Sequence, residues 1–159
     1  MFYSEPTAAN LIVDILVIWT TFFLSSYIFL KAKNISLKPK RLLLLIILGA
    51  LLPPISELII AYSFELAQLY ELFISVIIIL CVSKQRDECS IILALVSIGV
   101  EHGIKMVSSL PIGTVFWAID YHISLLIVYS VMSLCDIIAT ILLMRIPRFR
   151  RGFQFFEKR

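Results

Sequence analysis

The chain has 159 residues, of which 60% are hydrophobic and 16% charged, with a formal net charge of +3 and a mean hydropathy of +0.99. That balance excludes an ordinary soluble domain, in which about a quarter of the residues are charged. About 20 apolar residues cross one bilayer, so the length accommodates some five spans joined by short loops: an all-α, polytopic transmembrane helical bundle.

Residues 1–10 contain Glu5 and no Lys or Arg. Without the basic n-region of a cleavable signal, this segment is expected to be retained. The first span is expected over 11–30 and is followed at once by Lys31, Lys33, Lys38, Lys40 and Arg41. A second span over 42–62 turns through 63–67 into a third over 68–82, which ends at Lys84 and Arg86. The fourth span covers about 91–110, an outer loop about 108–121 follows, and the fifth covers 122–144. The tail, 145–159, carries Arg145, Arg148, Arg150, Arg151, Lys158 and Arg159. Thirteen of the fourteen Lys and Arg residues thus fall on one side, and Lys105 is the exception. Cytoplasmic loops carry the excess of Lys and Arg, so the N-terminus is expected outside and the C-terminus inside.

Aromatic residues agree with that placement: Tyr62, Phe64, Tyr70, Trp117 and Tyr121 fall at the outer boundary, and Phe149, Phe153, Phe155 and Phe156 at the inner one. Trp19 sits in mid-span. Cys81, Cys89 and Cys135 have no CxxC spacing. They read as small apolar residues rather than as a disulfide framework or a zinc site.

Ionisable residues inside the spans need an interior or a wet cavity, because a charge at the bilayer centre costs roughly 2.5–3.5 kcal/mol. Counting about 1.5 Å per residue, Asp14, Glu57, Glu71, Glu101, His102 and Lys105 all fall in the outer half of the membrane. Asp136 alone falls in the inner half. Two readings of this layer stand: a cavity open to the outside that receives a ligand, or a set of internal ion pairs. Glu101 and Lys105, at i,i+4 with Glu first, suit the second reading. Gly99 and Gly103 form a GxxxG that permits close helix approach. Pro53-Pro54 removes two backbone donors and is expected to bend the second span.

No HExxH, GxSxG or P-loop occurs. Neither a Cys-His pair nor an Asp14–Asp136 dyad shares a depth, so no enzymatic constellation, cofactor or metal is expected.

The last span runs directly into Arg148-Phe149-Arg150-Arg151-Gly152-Phe153-Gln154-Phe155-Phe156. This segment resembles the junction between the membrane sensor and the cytoplasmic part of GHKL-type sensor histidine kinases, including peptide receptors of the accessory-gene-regulator class. The short outer N-terminus and Lys-rich first inner loop resemble that family more loosely. The resemblance implies a sensor bundle over 1–144 with a basic aromatic tail over 145–159, in a bacterial cell membrane. It also implies an extracytoplasmic peptide or small-molecule ligand, and a homodimer or a cytoplasmic kinase partner reached through Arg148 to Phe153. Phosphoacceptor helix and ATP-binding domain do not occur in these 159 residues, so a non-catalytic sensor of a two-component system is expected. Lipid is a further expected partner, and nucleic acid is not. A small-solute transporter using Glu57, Glu101 and the Pro-Pro bend is the alternative reading.

Overall fold

The structure, a computed structural model, describes residues 8–60, 63–119 and 125–153. Five long helices make up the bundle: α1 (Ala8–Ala32), α2 (Pro39–Ile60), α3 (Phe64–Ser83), α4 (Glu88–Ile119) and α5 (Leu125–Arg145). A short α6 (Pro147–Gly152) follows. All five long helices are long and apolar enough to cross a membrane. With no water to satisfy backbone groups in hydrocarbon, helices that bond internally are one of the two structures able to span it. The chain is accordingly a multi-pass bundle whose outward Leu42, Leu43, Ile46, Ile47 and Leu51 on α2 meet lipid.

Helix α1 packs against each of the other four spans, while α2 with α3 and α4 with α5 form hairpins around it. Phe22, Ile28 and Phe29 of α1, Leu52 of α2, Ile79 of α3 and Leu93 of α4 are almost fully buried along this axis. Gly49 of α2 lies hard against α1: a Cβ there would fall 2.5 Å from a ring carbon of Phe22. The glycines of the GxxxG behave differently. A Cβ at Gly99 or Gly103 would meet nothing within 4 Å, so neither makes a close helix contact among the described residues. Pro53, fully buried, and Pro54 both lie inside a continuous α2.

Two of the helices that end at the cationic side, α1 and α3, close the same way. Asn34 follows α1 at φ 52°, and Ile35 N donates to Leu30 O at 2.8 Å. Lys84 caps α3 at φ 59°, and Gln85 N donates to Leu80 O at 3.1 Å. Asn tolerates this left-handed geometry through its short polar side chain, whereas an ordinary side chain costs about 1–2 kcal/mol there. Lys84→Gly is therefore expected to stabilise the chain by about 0.5–1 kcal/mol after the extra unfolded-state freedom of glycine is subtracted. A higher thermal midpoint in detergent checks it.

Asp87 caps α4, accepting from Ser90 N at 2.9 Å and Ser90 Oγ at 2.7 Å, and lies 3.4 Å from Lys33 Nζ. This ties the α1–α2 connection to the α3–α4 connection. The Ser90 hydroxyl above all, helped by backbone amides and Lys33, holds the Asp87 carboxyl below the usual aspartate range. A depressed carboxyl stabilises the fold above its unfolded pKa, and the gain is lost as pH falls through the folded value. Asp87→Ala is thus expected to cost about 0.5–2 kcal/mol near neutral pH. Thermal melts should show the gap between variant and parent closing below the ordinary aspartate pKa of about 4.

Three boundaries differ from the sequence reading. Helix α3 begins at Phe64, not near residue 68, because Ser63 caps it: Ser63 Oγ accepts from Leu66 N at 3.4 Å and donates to Glu65 Oε2 at 2.9 Å. Helix α4 continues through the expected outer loop to Ile119 with Pro111 inside it. Hydroxyls sustain that stretch, Ser109 Oγ bonding Met106 O at 3.3 Å and Thr114 Oγ1 bonding Pro111 O at 2.9 Å. The tail forms α6, and Phe149 and Phe153, edge to face at 5.6 Å, join the same apolar cluster as Met144, Ile35 and Leu37. Tyr62, Tyr121, Phe155, Phe156, Lys158 and Arg159 lie outside the described residues, as do the side chains of Phe64, Trp117, Arg150 and Arg151.

Candidate functional site

A cavity of about 580 Å³ opens between α1, α3 and α4, within the 300–1,000 Å³ range of small-ligand sites. Each helix contributes one face. From α1 come Ile18, Thr21, Phe22 and Ser25, and from α4 come Ile98 and His102. From α3 come Glu65, Gln68, Leu69, Glu71, Leu72 and Ser75. These positions recur three and four residues apart, the spacing that stacks side chains on one side of a helix. From Glu65 to Ser75 is ten residues, so the cavity reaches about 15 Å down α3 from the end remote from the Lys and Arg clusters.

Its charge is uneven. Glu71 accepts a hydrogen bond from the buried Ser56 hydroxyl of α2, which fixes the carboxylate. Asp14 and Glu57 lie within electrostatic reach of Glu71, and Glu57 Oε1 has no hydrogen-bond partner among the described residues. On the facing wall, Lys105 Nζ donates to Thr21 Oγ1 at 3.1 Å, and the His102 side chain remains 59% exposed. Four carboxylates, Asp14, Glu57, Glu65 and Glu71, therefore face or flank a space bordered by one lysine and one histidine. The arrangement favours a ligand that carries positive charge next to apolar surface.

Of the six residues expected to bind ligand, Glu71 and His102 line the cavity. Asp14 and Glu57 do not line it but lie within electrostatic reach of Glu71, and Lys105 reaches the site through Thr21. Glu101 does not line it; its carboxylate is 1% exposed. Asp136, expected from the sequence to stand apart from these groups, accepts a hydrogen bond from Ser108 Oγ and lies within electrostatic reach of Glu101 and Lys105.

Sequence reasoning missed Glu65, Gln68, Thr21, Ser25 and Ser75. For Glu65 the signal was present: Ser63 followed by an acidic residue in the first turn is a helix start, which would have moved α3 back by four residues. Thr21, Ser25 and Ser75 carry a weaker signal, small hydroxyl residues facing one another at helical spacing. Of the junction residues, Arg148 is exposed, Phe149 and Phe153 are packed inward, and Gly152 ends α6. Among the described residues no group of three His, Cys, Asp or Glu is placed to hold a metal ion. Comparison with protein-family models, with curated proteins and with solved structures finds no match for this chain.

Proposed function

We propose that this chain is a membrane receptor module whose α1–α3–α4 cavity takes an amphiphilic cation, such as a basic peptide segment or an organic ammonium compound. The observation that carries the reading is the pairing of an acidic wall with apolar Ile18, Leu69, Leu72 and Ile98 in one cavity of ligand size. The excess of Lys and Arg at the opposite end supports a cytoplasmic position for that end, with the cavity mouth outside. Binding would draw α3 and α4 toward α1 and shift the equilibrium between two arrangements of the spans, to the extent that ligand prefers one of them. Relay passes through α5 to α6, whose Phe149 and Phe153 are seated in the same apolar cluster as Met144. From there the exposed Arg148 and the rest of the basic junction contact a cytoplasmic partner of the histidine-kinase type that the tail resembles.

Equilibrium binding to the full chain in lipid nanodiscs tests the cavity directly. Tetraphenylphosphonium should bind saturably and tetraphenylborate, its anionic counterpart of similar shape, should not. Equal binding of both ions, or of neither, contradicts the reading.

A further inference from the structure

A second polar group lies in the seam between α4 and α5, away from the cavity. Glu101 and Ser108 are seven residues apart on α4, and Asp136 and Thr140 four apart on α5, so each pair occupies one helix face. Ser108 Oγ donates to Asp136, which sets the register of the two antiparallel helices. One turn further along α5, Thr140 comes level with the stretch between Ser108 and Glu101. Asp136 is 2% exposed and Thr140 is 0% exposed. Neither Glu101 oxygen nor Thr140 Oγ1 has a hydrogen-bond partner among the described residues. His102 Nδ1 lies 3.3 Å from Glu101 Oε2 but is directed at Ile98 O, 2.9 Å away.

Buried polar atoms are expected to be bonded, and buried charges paired. The ionisable groups facing the seam are Lys105 and His102 from α4 and Asp136 from α5, with Glu71 of α3 in reach of both α4 groups. Helix α1 contributes the Thr21 hydroxyl, which holds the Lys105 ammonium to its own side. Two carboxylates thus share one ammonium that is already committed elsewhere.

We propose that Glu101 and Asp136, with the hydroxyls of Ser108 and Thr140 as neighbours, hold one exchangeable proton in the α4–α5 seam. A proton adds to one carboxylate oxygen and converts it to a donor for the neighbouring acceptors. This site does not depend on the receptor reading, because neither carboxylate lines the cavity.

Infrared difference spectroscopy of the full chain in nanodiscs, at neutral pH in choline buffer, provides the test. The parent spectrum minus that of Glu101→Gln, and likewise minus that of Asp136→Asn, should contain one protonated-carboxyl stretch per chain. Each substitution alone should remove the whole band, because the remaining carboxylate then pairs with Lys105. Both replacements are isosteric and keep an acceptor, so the fold should persist. The proposal is overturned if the parent in choline shows no such band. It is equally overturned if both carboxyls are ionised beside a His102 imidazolium.

Discussion

Gly49→Val is expected to lower the stability of the bundle by about 1–3 kcal/mol, read as a lower unfolding midpoint of the purified chain in detergent. The first added carbon would sit 2.5 and 2.7 Å from two carbons of the Phe22 ring and 3.2 Å from Phe23. Phe22 is 2% exposed and cannot rotate away without displacing the centre of α1. In a bilayer the packing contribution dominates, because lipid tails are as apolar as the side chains they would replace. Phe22→Ala alone opens a void next to Gly49 and is expected to cost about 2–4 kcal/mol through lost contacts. The double variant should be less destabilised than the sum of the single changes, since each relieves the fault created by the other. Strict additivity would mean that α1 and α2 are not in contact at this point.

The second large effect concerns Glu71. Glu71→Gln preserves an acceptor for the Ser56 hydroxyl and removes the charge. It should weaken tetraphenylphosphonium binding about tenfold, equivalent to about 1.4 kcal/mol, and leave the thermal midpoint nearly unchanged. Glu71→Ala removes both features. It leaves the fully buried Ser56 hydroxyl without its partner, at a cost to stability of about 1–3 kcal/mol. The contrast separates a carboxylate that attracts ligand from one that only pins α2 to α3. If Gln binds the cation as tightly as the parent, the charge of Glu71 plays no part in recognition.

Span number and the segregation of Lys and Arg were legible in the sequence because hydropathy and charge need no knowledge of neighbours. Depth was not. Counting along each span puts Asp136 and Ser108 in different layers, yet the two are hydrogen-bonded, because α4 with 32 residues and α5 with 21 do not share a common starting level. Packing glycines were equally opaque: Gly99 and Gly103 have the familiar spacing yet face open space, whereas the isolated Gly49 meets Phe22. What decides the matter is the partner helix, which the sequence of one helix does not contain. The hydroxyl lining of the cavity stayed hidden for a different reason. Ser25 bonds its own helix at Thr21 O, 2.7 Å away, so such residues fit into an apolar span without advertising a polar neighbour.

Cysteine accessibility in native-like vesicles tests the account most directly, in a background with Cys81, Cys89 and Cys135 replaced by serine. Ser75 lies at the floor of the cavity and Ile77, two residues on, is exposed on the outer surface of α3. A membrane-impermeant thiol reagent added from the side of the cavity mouth should modify Ser75→Cys and leave Ile77→Cys untouched, and tetraphenylphosphonium should protect the former. Failure of the reagent to reach Ser75→Cys, or equal modification at both positions, would contradict a water-filled binding cavity between α1, α3 and α4.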